Sequence, residues 1–124
     1  MIISITTIPP RMPFLPAFFA NLSRQRLKPD VIELYVAKSY RRFPGEVPAL
    51  PALPDWVKVV TLDADMGPAT KVLPAARAWR GKDVDILFGD DDRRYDPLWT
   101  TRFAAMRTRV KDEVICETGT LLPE

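Results

Sequence analysis

Residues 2–8 form an almost continuous β-branched run that stops at Pro9-Pro10. Such a run suits a strand covered on both faces and ended by a rigid turn. A strand of that kind needs helices above and below it, and the rest of the chain supplies them by alternation. Phe14, Leu15, Phe18, Phe19 and Leu22 recur at helical spacing, which predicts a helix over 13–25 with its prolines near the start. Further apolar runs predict strands over 31–37, 57–62, 84–88 and 114–117. Helical stretches are expected over 68–80, with Pro74 as a kink or in an early turn, and over 97–110. Residues 38–56 carry Pro44, Pro48, Pro51 and Pro54 and read as one long loop. The alternation predicts a single α/β domain over 1–124, built on a mainly parallel sheet of about five strands with flanking helices.

Composition narrows the chemistry available to that fold. An apolar fraction of 47% over 124 residues is ample for one core. There is no histidine and one cysteine, so His-dependent zinc sites, Ser-His-Asp triads and intrachain disulfides are excluded. Catalysis would rest on carboxylates, Lys, Tyr, Arg or a hard metal held by oxygen. The five glycines leave little room for a glycine-rich phosphate cradle. A net charge of +2 provides no field that would favour nucleic acid. No apolar segment reaches the roughly 20 residues a membrane-spanning helix needs, and the N-terminus lacks the basic-then-apolar order of a signal peptide. The expectation is a cytoplasmic, reducing-compartment domain in which Cys116 is a small buried hydrophobe.

Parallel sheets bind ligands at the carboxyl ends of their strands, which directs attention to four loops. Asp90, Asp91 and Asp92 follow an apolar strand directly. In an extended segment Asp90 and Asp92 share a face while Asp91 turns away, an arrangement suited to Mg²⁺ or Mn²⁺ completed by a ligand's phosphates. A solvated acidic turn is the alternative. Asp96 before Pro97 reads as a helix N-cap. The segment Gly67-Pro68-Ala69-Thr70-Lys71 is either an anion site at a helix start or ordinary helix initiation. Thr6, Thr7 and Arg11 close the first strand, where they could meet a nucleoside or simply fill it. Arg41, Arg42, Arg93 and Arg94 near the ligand edge could neutralise phosphate, but the default expectation is that they pair with nearby carboxylates. Trp56, Trp79 and Trp99 are expected to pack in or near the core, Trp99 as the most exposed of them.

The runs SITTIPPR (4–11), YRRF (40–43), DMGPATKVLPA (65–75) and FGDDDRRYDPLW (88–99) occur in that order. Together they resemble a bacterial family of nucleotide-sugar-dependent glycosyltransferases of the GT-A type, over nearly the whole chain. The resemblance implies a Rossmann-like domain in which the DxD motif holds a divalent cation, Mn²⁺ or Mg²⁺, bridging the donor diphosphate. Asp92 would be the direct metal ligand. Asp90 would contact the ribose or the metal shell, and Asp91 would polarise or orient. Thr6, Thr7 and Arg11 would line the base and ribose pocket, with Lys71 near the nucleotide or diphosphate. The implied partners are a nucleoside-diphosphate sugar donor and a carbohydrate or glycan acceptor.

The sequence departs from the family at the end of the second strand, where Ala37, Lys38 and Ser39 stand in place of an acidic residue. Relatives also continue beyond the DxD into acceptor-binding strands, so an acceptor-binding C-terminal part is expected to be missing and the general base stays unassigned. Two other readings remain. One is a non-catalytic nucleotide-sugar-binding or assembly module, including an oligomer whose partner covers an open sheet edge. The other is a metal-dependent phosphoryl or nucleotidyl transferase. A phosphatase-like DxD wants a small hydroxyl residue soon after its second Asp, and Arg93 and Arg94 occupy those positions.

Overall fold

In a computed structural model the described residues, 1–119, form a four-stranded, wholly parallel sheet. The strands are β1 (Ile2–Thr6), β2 (Val31–Ala37), β3 (Val57–Leu62) and β4 (Ile86–Asp90), in spatial order β3-β2-β1-β4. β1 is central and pairs Ile2 with Val31 on one side and with Ile86 on the other, a register that sets Thr6 beside both Tyr35 and Asp90. The chain runs outward from β1 through β2 to β3, then crosses back to place β4 on the far side of β1. The order therefore reverses between β1 and β4, the position at which a parallel sheet opens a crevice at its strand tips.

Helices cover both faces. A 3₁₀ segment (Pro9–Phe14) leads into α1 (Leu15–Leu22), whose Leu15, Phe18, Phe19 and Leu22 are buried against Ile3, Ile5, Ile32 and Leu34. Pro9 and Pro10 open the 3₁₀ segment and Pro16 lies in the first turn of α1, positions where a missing amide costs little. The first turn of α3 (Trp99–Arg107) lies on the same face, where Trp99 is 3% exposed and stacks on Tyr95 with ring centroids 3.9 Å apart. On the opposite face a second 3₁₀ turn (Gly67–Lys71) precedes the short α2 (Leu73–Ala78). Pro74 sits in the first turn of α2, so no kink is needed.

That second face is polar. Glu33, 1% exposed in mid-β2, accepts hydrogen bonds from Tyr35 Oη (2.7 Å), Lys58 Nζ (2.9 Å) and Trp79 Nε1 (3.1 Å). Ser4 donates to the Lys71 carbonyl at 2.6 Å. Among the described residues no buried side-chain polar atom lacks a partner.

Several expectations are corrected. The fifth strand, expected over 114–117, does not form. Val114 is 95% exposed, and the backbone leading to it is held by Arg107, which donates to the carbonyls of Val110, Lys111 and Glu113 at 2.9–3.1 Å. Glu117 is tied to Arg102 at 2.7 Å, so the segment hangs from α3 and makes no ladder with β4. Cys116 is consequently exposed. The expected helices are shorter than their patterns, and the first and second begin as 3₁₀ turns because each carries prolines. The exposure order of the tryptophans is reversed, Trp56 being 45% exposed. The long loop has neither helix nor strand over 44–54, yet Val47, Leu50 and Leu53 pack on the core and order it. Among the described residues no helix is long and apolar enough to cross a membrane.

Candidate functional site

The crevice between the tips of β1 and β4 gathers Thr6, Thr7, Arg11, Lys71 and all three consecutive aspartates. Each arrives from a different local cause. β4 ends at Asp90, level with Thr6 at the end of β1. Gly89 makes this close approach possible: a Cβ there would stand 2.8 Å from Ile5 Cδ1, 3.0 Å from Tyr95 Oη and 3.3 Å from Trp99. Tyr95 Oη accepts from the Asp90 N–H at 2.7 Å, which fixes the backbone of the acidic turn. Burial pushes the Tyr95 hydroxyl above its ordinary value, and the neighbouring carboxylates of Asp90 and Asp92 add to the shift, so it stays neutral as a hydrogen-bonding group. The turn is tied to α1 as well, where the Asn21 side chain accepts from the Tyr95 N–H at 2.8 Å and donates to its carbonyl at 3.2 Å.

The three carboxylates are divided between two tasks. Asp91 points inward, 3% exposed, and accepts from Thr7 Oγ1 at 2.6 Å and Arg11 Nη1 at 2.8 Å. Asp90 and Asp92 are each 49% exposed. Asp92 lies 3.0 Å from Arg11 Nη2, so one guanidinium spans Asp91 and Asp92. The hydrogen bond that Arg11 donates to Asp91 raises the Arg11 pKa, and the fields of the three aspartates add to it against burial. Asp90 pairs with Lys71 Nζ and lies 3.9 Å from Arg93. Asp90 and Asp92 thus meet cations from different elements and share no protein partner, while Asp91 turns away as alternation requires.

The threonines close the strand from within. Thr6 Oγ1 donates to the Tyr35 carbonyl at 3.0 Å, and the buried Thr7 hydroxyl is committed to Asp91. The Gly67–Lys71 turn is satisfied internally, since Thr70 Oγ1 accepts from the Met66 N–H and donates to Asp65. Its contribution to the crevice is the Lys71 side chain. Asp96 is not the helix N-cap expected of it: α3 starts from Leu98 with no side-chain cap, and Asp96 instead closes the preceding turn, accepting from the Leu98 N–H at 2.9 Å and pairing with Arg102, which holds its carboxyl below the usual range.

Two cavities flank the acidic turn. One of about 510 Å³ lies between β4, α3 and residues 113–118, with Asp90 at its rim. The other, of about 580 Å³, lies between α1 and the turn itself and reaches Asp91 and Asp92. Arg93 borders both. Of the arginine pairs, Arg93 has the long contact to Asp90 and Arg42 lies over the Phe43 ring at 5.7 Å. The carboxylate pairing expected of Arg41, Arg42 and Arg94 is not formed among the described residues.

The donor set fits a hard dication in part. Among the described residues no group of three His, Cys, Asp or Glu side chains is arranged to hold a metal. Two exposed carboxylates nevertheless match what Mg²⁺ takes from a protein when a substrate's phosphates supply the remaining oxygens. Sequence reasoning did not find Asn21 or Tyr95 as organisers of this turn, because their partners are backbone groups some 70 residues away or fixed only by the fold. No protein-family model, curated protein or solved structure matches this chain.

Proposed function

We propose that this chain is a glycosyltransferase-like domain that binds a nucleoside-diphosphate sugar through a divalent cation, Mn²⁺ or Mg²⁺, held at Asp90 and Asp92. The observation that carries this reading is the division of labour at the strand-order reversal. Asp91 is locked inward by Thr7 and Arg11, and its two neighbours are left half-exposed at the mouth of the crevice. A solvated acidic turn would have no reason to anchor its middle residue in a buried two-partner site.

Charge balance supports the same reading. Asp90, Asp91 and Asp92 are offset by Arg11, Lys71 and Arg93, so the turn is close to neutral as it stands. A dication arriving with a doubly ionised diphosphate keeps that balance, with each group finding a partner of opposite sign. Asp90 and Asp92 would turn to the cation, and Lys71 would be released to the diphosphate. Arg11 keeps its bond to Asp91 and so holds the turn while Asp92 is engaged. Tyr95 and Asn21 hold the backbone. The cation, when bound, offsets the charge that builds on the departing nucleoside diphosphate as the sugar carbon becomes cation-like.

Calorimetry with UDP- and GDP-sugars, with and without Mn²⁺, tests the proposal. Saturable binding of at least one donor that disappears on chelation is the expected result. No metal-dependent binding to any of them would end it.

A further inference from the structure

Three cations reach the acidic turn, and they differ in what each loses if a metal takes its carboxylate. Arg11 keeps Asp91 as a buried partner when Asp92 leaves it. Arg93 is 70% exposed and 3.9 Å from Asp90, so water serves it as well as the carboxylate does. Lys71 has neither recourse. Its side chain is 14% exposed, and Asp90 is the only acceptor its ammonium has among the described residues.

The turn that carries this ammonium is fixed. Lys71 ends the 3₁₀ turn Gly67–Lys71, whose backbone is held on β1 by the 2.6 Å bond from Ser4 Oγ to the Lys71 carbonyl. The preceding Thr70 is fully buried, donating to Asp65 at 2.9 Å and accepting from the Met66 N–H at 2.8 Å. A rigid turn thus holds a nearly buried positive charge against the carboxylate that a metal would need. A dication that takes Asp90 by itself leaves this ammonium desolvated, unpaired and beside a second positive charge, and each of those is unfavourable. A diphosphate arriving with the dication supplies the acceptor that Asp90 no longer offers.

We infer that Lys71 is an autoinhibitory cation: its ammonium holds Asp90 against a free metal ion and yields it only to a metal that brings a diphosphate. The crevice is thereby closed to bare dications and opened by the ligand that needs one. This role rests on the donor-binding reading above, and it demands effects of opposite sign. Removing the ammonium should strengthen binding of the metal alone and weaken binding of the donor, because the same charge opposes the first and assists the second.

Calorimetric titration with Mn²⁺ alone, and with UDP-glucose and GDP-mannose at saturating Mn²⁺, tests this in wild type, Lys71→Gln and Lys71→Ala. Both variants leave the Ser4 bond to the backbone carbonyl at position 71 in place. Mn²⁺ alone should bind each variant at least about fivefold more tightly than wild type, and the donor that wild type binds should bind at least about fivefold more weakly. Arg93→Gln, which removes the same charge at the long contact to Asp90, should change either affinity by less than about twofold. Unchanged or weaker Mn²⁺ binding in the Lys71 variants, changes of the same sign for metal and donor, equal effects from Arg93→Gln, or unfolding of both Lys71 variants would each overturn the autoinhibitory role. Mn²⁺-dependent donor binding by wild type would then leave the donor reading standing. Absence of such binding in wild type would overturn the donor reading, and the role of Lys71 with it, whatever the variants do.

Discussion

The two faces of the sheet are stabilised in different ways, although the same strands build both. Facing α1, Ile3, Ile5, Ile32 and Leu34 pack against Phe18, Phe19 and Leu22, a surface whose stability scales with apolar area removed from water. Facing α2, Ser4, Glu33 and Tyr35 are equally buried but are held by directed bonds to Lys58, Trp79 and the Lys71 carbonyl. The first face tolerates a change of shape among apolar side chains, whereas the second requires every donor and acceptor to keep a partner. The distinction continues to the strand tip, where Asp91 is locked to the 3₁₀ segment that leads into α1, and Asp90 meets Lys71 from the opposite face.

The largest test of this contrast lies on the apolar face. Phe19→Ala should cost about 3–5 kcal/mol in urea denaturation, because a fully buried ring is lost and its cavity cannot collapse. A cost under about 1 kcal/mol would mean that α1 is not the main cover of the sheet. Gly89→Ala, at the same face near the tip, should destabilise by about 1–3 kcal/mol through overpacking against Ile5 and Tyr95. If it does not, the close approach at the crevice is looser than its geometry.

On the polar face, Glu33→Leu should cost about 1–3 kcal/mol despite adding apolar volume, because Tyr35 and Trp79 lose their acceptor. A neutral or stabilising result would erase the difference between the faces. Acid titration provides an independent check. Burial alone would push Glu33 upward, but the bonds from Tyr35, Lys58 and Trp79 outweigh it and hold its carboxyl below the ordinary 4.5. A lowered folded pKa means that the unfolded chain takes up its proton first. Glu33 therefore contributes its stability in full above pH 4.5, and loses it as pH falls from there through the folded value. Melting temperature should drop over that acid range, and less steeply in Glu33→Gln.

At the tip the expected effects are smaller and of different kinds. Asp91→Asn should destabilise by about 1–2 kcal/mol, since it weakens a buried charge-assisted contact to Arg11. Asp92→Asn should change stability by no more than about 0.5 kcal/mol, while abolishing Mn²⁺-dependent donor binding. If Asp92→Asn unfolds on warming with donor affinity intact at low temperature, Asp92 is a structural residue; if it stays folded and binds donor normally, Asp92 does not hold the cation.

The α/β alternation was legible because buried strands and amphipathic helices impose different periods on the sequence, and four of five expected strands formed. The run at 114–117 was misleading, since β-branched residues permit a strand but do not supply an edge to pair with, and here arginine-to-carbonyl bonds hold the segment away. Glu33 is a lone carboxylate in the run VIELYVA, which read only as an apolar strand, and the polar face it centres was not foreseen. Two of its partners, Lys58 and Trp79, are 25 and 46 residues away and carry no local signal.

By itself the sequence determined that this is an α/β chain without histidine chemistry, whose acidic triplet follows a strand. Local propensity and composition suffice for that. Only the tertiary structure decided the strand order that sets β4 beside β1, and with it that Asp91 is an anchor while Asp90 and Asp92 face outward. Alternation along an extended segment already separates Asp91 from its two neighbours. Which side becomes the buried anchor is set only when Thr7 and Arg11, some 80 residues earlier, are brought against Asp91.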